Sequence, residues 1–216
     1  MCIRDRIDAT RLLWVTPEAE RLIVKTARVS APQNEDNLAT GPRLLRYLIK
    51  HKHWSPFEMA NMCLEIHTQR DISAQIIRHR SFHFQEFSQR YAETEQAKIP
   101  KFRRQDSRNR QNSIDDLNDE QIDLLEELTY KHIKEGYELY QTMLEMGVAK
   151  ETARRHLPMC SPTRLYMNGT IRSWIHYLEL RTHPGTQYEH RTIANQAKIL
   201  FQQNFPIISE ALWYDT

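Results

Sequence analysis

Apolar positions along the chain switch between two spacings, and the switches mark out the elements. Leu12, Leu13, Trp14 and Val15 form a short apolar run that predicts a strand. Thr16, Pro17, Glu18 and Glu20 follow it, the pattern of a helix capped by Thr16 with Pro17 in its first turn. Pro42 opens a second helix whose face carries Leu44, Leu45, Leu48 and Ile49 and which closes near His51 and His53. Met62, Leu64 and Ile66 then alternate with Cys63, Glu65 and His67, the two-residue period of a half-buried strand. Helical spacing returns over residues 70–77, with Ile72 and Ile76 one turn apart. Residues 101–113 are polar and basic without apolar period, which predicts a mobile loop. Residues 117–146 predict a long helix, with Leu117, Leu124, Leu125, Leu128, Ile133, Tyr137, Tyr140 and Leu144 as its stripe and Gly147 as its stop. Leu165 and Met167 alternate in a last strand, Thr170 caps a helix that Pro184 and Gly185 end, and a final helix runs from Gln187 towards Phe205. The mixture predicts an α+β fold, with long helices packed on a small, mostly antiparallel sheet.

The chain of 216 residues suits one domain spanning 1–216, with residues 1–6 expected as a disordered tail. No Gly/Ser-rich tether or internal repeat divides it. A net charge of +2 makes no demand for nucleic acid or a membrane surface, and no apolar run is long enough to span a bilayer. The start of the chain lacks the apolar core of a secretion signal, and three cysteines at no ligand-like spacing suit a reducing compartment, so a cytoplasmic location is expected. The five glycines form neither GxGxxG nor GxxxxGK, so a nucleotide would have to be gripped by side chains.

Side chains suited to that task cluster over residues 78–90. Arg78, His79 and Arg80 are followed, after seven intervening residues, by Ser88, Gln89 and Arg90. A planar guanidinium meets phosphate oxygens with two parallel hydrogen bonds, so this run is a candidate anion site. Ser88 and Arg90, two apart, would share a side of an extended segment. Glu86 either joins the site or balances Arg78 and Arg80. No metal is expected: His51 with His53, or His79 with His83, lacks a third ligand, and arginines crowd the second pair. With Phe82, Phe84, Phe87 and Tyr91 interleaved, the run also admits an RNA- or polyanion-binding reading, which the balanced overall charge opposes.

The spacing Arg-His-Arg, seven residues, Ser-X-Arg resembles the defining motif of the flavin-dependent thymidylate synthases. Three further segments are similar to that family, in the same order: His53 to Glu58, Ala153-Arg154 with Leu157-Pro158, and Arg172 to Arg181 with Gln187, Tyr188 and Glu189 after it. The resemblance implies an α+β homotetramer with active sites shared between subunits. It implies methylation of deoxyuridylate (dUMP) to thymidylate (dTMP), with methylenetetrahydrofolate as carbon donor and FAD, reduced by NADPH, as hydride source. No cysteine nucleophile is implied, in keeping with the absence of a thiolate-favouring setting around Cys63 or Cys160. Arg181 carries over as the catalytic residue beside the pyrimidine. Gln75, Arg78, Glu86, Ser88, Gln89, Arg90 and Arg154 carry over as nucleotide contacts, Arg154 reaching in from a neighbouring subunit. Ser55, Arg78, His79, Arg80, Glu86, Arg172 and His176 carry over as FAD contacts. Thr170 stands among these where the family often has asparagine, and Gly185 where it often has histidine. His53 and Tyr91 resemble positions on the folate and nicotinamide side. A FAD-binding relative without folate activity is the alternative within flavoproteins.

Overall fold

A computed structural model describes residues 8–214, and the expected tail over residues 1–6 lies outside them. Strand β1 (Ala9–Val15) leads through α1 (Ala19–Ala27) and α2 (Gly41–Lys50) to β2 (Asn61–Gln69) and α3 (Arg70–Ile76). Then come β3 (His83–Glu86), a hairpin of β4 (Arg104–Gln105) and β5 (Ser113–Ile114), and the long α4 (Asp119–Glu145). Short α5 (Lys150–Ala153) precedes β6 (Pro162–Thr170), and α6 (Ile171–Arg181), α7 (Tyr188–Asn204) and α8 (Pro206–Trp213) close the chain. The main sheet runs β1-β2-β6-β3 with every neighbour antiparallel, so the fold is α+β.

Alternation along β2 decides which face meets the helices. Leu64 pairs across the sheet with Leu12 and Met167, and Met167 with Phe84; this row faces the core. Ile72 and Ile76 of α3, Trp174, Ile175 and Leu178 of α6, and Ile193, Ala197 and Phe201 of α7 cover it. The other face also closes, which the half-buried reading of this strand did not include. Glu65 is buried beneath Arg11 and His67, which hydrogen-bond its two carboxylate oxygens. Ion pairing makes that burial tolerable. Trp174 ties α6 to the sheet by donating its Nε1–H to the Met62 carbonyl at 2.8 Å.

Several expected boundaries shift for identifiable reasons. Thr16 does not cap a helix. Its hydroxyl accepts from the Asn61 N–H at 2.9 Å, and its own N–H donates to the Asn61 carbonyl at 3.0 Å, extending the β1–β2 ladder. The helix begins later, after Glu18 turns the chain at φ 51°. The expected loop over 101–113 contains the β4–β5 hairpin, held by side-chain bonds that have no apolar signature. Asn118 caps α4 with a reciprocal bond to Gln121, and Gly147 ends it at φ 81°. Within α4 only Ile133 and Tyr140 of the expected stripe are buried, while Leu124 and Leu128 are each 56 % exposed. Pro206 opens α8, an element the apolar pattern did not separate from α7.

Gly169 of β6 sits opposite Met62, where the Phe82 ring lies across the strand. A Cβ at position 169 would come within 2.4 Å of that ring. Phe82 is itself wedged edge-on against Trp174, with centroids 4.9 Å apart. Gly169→Ala is therefore expected to cost about 1–3 kcal/mol by overpacking. Combined with Phe82→Leu, its denaturant midpoint should fall by less than the sum of the two single changes.

Candidate active site

The end of α6 meets the turn after α3. Arg181, the last residue of α6, donates Nε–H to His79 Nε2 at 2.9 Å. A ring nitrogen that accepts carries no proton, so His79 is neutral with its hydrogen on Nδ1. Burial, and then the Arg181 charge, push the His79 pKa down to about 4. Its ring stands edge-on to Tyr177, centroids 4.9 Å apart, and the Tyr177 hydroxyl lies 3.1 Å from His190 Nε2. Burial, Arg181 and His79 together push His190 down to about 3, and burial pushes Tyr177 up. All three side chains are thus uncharged, and Arg181 keeps its positive charge without a charged neighbour in this group. Its two terminal nitrogens bond to nothing among the described residues.

The other residues singled out in the sequence fall into separate groups. Arg78 and Arg80 flank His79 and are exposed, and their side chains make no hydrogen bond or ion pair among the described residues. On the outer face of α6, Arg172 pairs with Glu58 at 2.5 Å, and the His176 ring packs edge-on to Trp54 at 5.3 Å. Ser55 opens the 3₁₀ turn Ser55–Glu58 in the same region. Thr170 caps α6, accepting from the Ser173 N–H and donating to the Ser173 hydroxyl, so its donor is already engaged.

Glu86 does not balance Arg78 and Arg80. One of its oxygens accepts from Arg70 (2.8 Å), Ser73 (2.7 Å) and Thr163 (3.0 Å), which fixes the carboxylate against α3 and β6. Gln75 donates to Gln187 at 2.6 Å, joining α3 to the start of α7. Ser88 and Arg90 do not lie in an extended segment. They form a turn in which the Arg90 N–H donates to the Ser88 hydroxyl at 3.3 Å. Arg90 pairs with Glu151 of α5, and Tyr91 beside it is 80 % exposed. Gln89 and Arg154 of the same chain line one cavity of about 250 Å³, with Arg70 and Arg155. His53 lies among Tyr47 and His51. His79 lies in a turn and His83 opens β3, so the two do not share a helix. Among the described residues no three His, Cys, Asp or Glu side chains are grouped to hold a metal ion.

Tyr177, His190, Arg70, Glu58 and Gln187 acquire their roles only through contacts made by the fold. Tyr177 and His190 are 13 residues apart, and Glu58 and Arg172 are 114 apart. Glu58, Tyr177 and Gln187 did fall within segments already marked in the sequence, while Arg70 and His190 had no such signal. Burial pushes both Cys63 and Cys160 thiols up, which disfavours a thiolate at either.

Comparison with known proteins shows the family. A profile of the family described as "Thymidylate synthase complementing protein" matches residues 11–207. A probable flavin-dependent thymidylate synthase of Paramecium bursaria Chlorella virus 1 is 52 % identical over 195 residues, 90 % of each chain. A flavin-dependent thymidylate synthase of Synechocystis sp. is 46 % identical over 193 residues, 89 % of each. The crystal structure of the UMP/dUMP methylase PolB of Streptomyces cacaoi, bound with 5-Br UMP, superposes with a TM-score of 0.84. That match has 26 % identity over 94 % of this chain and 92 % of that one. The chain belongs to the flavin-dependent thymidylate synthase family and is an enzyme of that class.

The two depressed histidines give a signed pH dependence. Between about pH 6.5 and 4 the unfolded chain binds protons on His79 and His190 that the folded chain refuses. Their contribution is therefore complete above the ordinary histidine pKa and is lost as the pH falls through this window. His190→Gln, which keeps a polar atom near the Tyr177 hydroxyl, should flatten the fall in melting temperature from pH 6.5 to 4. Parallel pH profiles for parent and variant would show that His190 is not held neutral.

Proposed function

We propose that the protein methylates C5 of dUMP to give dTMP, with Arg181 as the catalytic residue beside the pyrimidine. Methylenetetrahydrofolate provides the carbon and NADPH the reducing power. The observation that carries this reading is the Arg181 guanidinium, its Nε fixed to a neutral His79 and its two terminal nitrogens without a partner. A pyrimidine that gives up its N3 proton spreads negative charge over N3 and the flanking carbonyls. Fixed N–H donors answer that charge without reorganising when it develops. A guanidinium cannot serve as the base, because it stays protonated at every relevant pH.

For the rest of the nucleotide, Ser88, Gln89 and Arg90 hold the phosphate, and Arg154 reaches in from a neighbouring subunit. Arg90 can leave Glu151 cheaply, since exposed ion pairs contribute only about 0–1 kcal/mol. Gln75, Arg78 and the fixed Glu86 complete the contacts.

The residues present fit FAD. Arg78 and Arg80 present guanidinium groups suited to a diphosphate and without a partner among the described residues. Thr170 and Arg172 stand at the start of α6 with Ser55 nearby, His176 lies on its outer face, His79 meets its end, and Glu86 completes the set. When bound and reduced, the flavin supplies the hydride that completes the methyl group. His53 and Tyr91 serve the folate and nicotinamide side. The assembly we infer is a homotetramer with shared sites, supported by the uncovered apolar stripe of α4 at Leu124 and Leu128.

Arg181→Ala tests the reading. The variant should retain FAD while dTMP formation falls by about 10²–10³, the usual effect of removing one fixed donor. Turnover equal to the parent would remove Arg181 from the chemistry.

A further inference from the structure

Between the β4–β5 hairpin and the start of α7 lies a cavity of about 450 Å³ that none of the roles above uses. Arg103, Arg110 and Arg191 line it, together with Gln187 and Tyr188. Its acidic neighbours are already engaged: Asp115 by Lys101, and Glu189 by Arg103. These four basic and two acidic groups leave two positive charges in excess.

The hairpin that carries two of the arginines is tightly organised. The Gln105 amide lies within 3.1–3.4 Å of the carbonyls of Asp106, Asn109, Arg110 and Asn112. Asp106 accepts from the N–H groups of Arg108 and Asn109 and from the Asn112 side chain. A simpler explanation is that the arginines pin the hairpin to α7. It accounts for Arg103, whose Nη2 reaches both oxygens of Glu189 (2.9 and 3.1 Å) and whose guanidinium stacks 4.5 Å from the Tyr188 ring centre. It does not account for Arg110, whose side chain makes no bond or ion pair among the described residues. Nor does it account for Arg103 Nη1, which is buried without a partner. Charge held without a partner, in a recess built by a rigid turn, is what an anion site requires.

Position narrows the ligand. Gln187 lines this cavity and accepts from Gln75, a proposed nucleotide contact, so the recess adjoins the nucleotide site. The cavity lined by Gln89 and Arg154, both proposed phosphate contacts, shares no residue with it. We propose that the Arg103–Arg110–Arg191 cavity receives the anionic end of a co-substrate, a phosphate or carboxylate whose reactive part lies at the flavin. This rests on the synthase reading. Two molecules of that reaction carry such a group: NADPH, with the phosphate that NADH lacks, and the folate, with its glutamyl carboxylates.

The test uses FAD-loaded enzyme with dUMP bound, parent and Arg110→Gln, titrated calorimetrically with NADPH, NADH, and mono- and triglutamyl folate. Arg110 is exposed and makes no side-chain contact, so its replacement leaves folding alone. Loss of one charge-assisted contact should weaken the correct ligand about tenfold, and added salt should narrow the difference. A drop for NADPH and not NADH assigns the cavity to the phosphate. A drop for the triglutamyl folate larger than for the monoglutamyl form assigns it to the carboxylates. Equal affinities of parent and variant for all four ligands would overturn the proposal while leaving the synthase reading intact. A parent that makes no dTMP from these substrates would overturn both.

Discussion

The hydrogen bond from Arg181 Nε to His79 Nε2 sets a condition that reaches deep into the molecule. It exists only while His79 is neutral, and His79 is neutral because it is packed against Tyr177 and placed beside a fixed positive charge. Tyr177 in turn is fully buried between Trp174 and His190. Trp174 is hung from the Met62 carbonyl in the central strand, and Phe82 fills the space that Gly169 leaves open. A side chain at the surface of the site is thus held by a column of aromatic packing that ends in the sheet. This is why the apolar core and the position of Arg181 cannot be treated as separate subjects.

Around that fixed point the basic groups divide by how they are held. Arg70, Arg103 and Arg172 are each paired with a carboxylate, and they give shape to the walls. Arg78, Arg80 and Arg110 are left without partners, which costs little in water and reserves their donors for anions. Arg181 meets the neutral His79 and makes no ion pair among the described residues, so no bonded carboxylate cancels its charge.

Much of this arrangement was legible in the residue order, for local reasons. Thr170 capping α6, Pro42 opening α2, and Gly147 ending α4 each depend on neighbours a few positions away. The motif over 78–90 marked a stretch in which the Arg78 and Arg80 side chains have no partner among the described residues. What stayed hidden depends on pairs far apart in sequence. Glu86 belongs to Arg70, Ser73 and Thr163 instead of the nearer arginines, and no local rule chooses among them. Thr16 looked like a cap because its hydroxyl could serve either a helix or a strand, and Asn61 settles the choice from 45 residues away. The β4–β5 hairpin is built from side-chain amides and carboxylates, so an apolar pattern could not reveal it. The stripe of α4 had the period of a buried helix face, yet Leu124 and Leu128 remain uncovered within one chain. Periodicity reports that a face wants a partner and does not say which molecule provides it.

The most direct test of this account is the visible absorption spectrum of the FAD-loaded, desalted protein as dUMP is added. If Arg181 and the Arg78–His79–Arg80 turn hold the pyrimidine and the flavin side by side, the oxidised-flavin band will be retained and will shift with the nucleotide. A protein that holds flavin with a spectrum indifferent to dUMP, or that holds no flavin, would contradict the shared site on which the account rests.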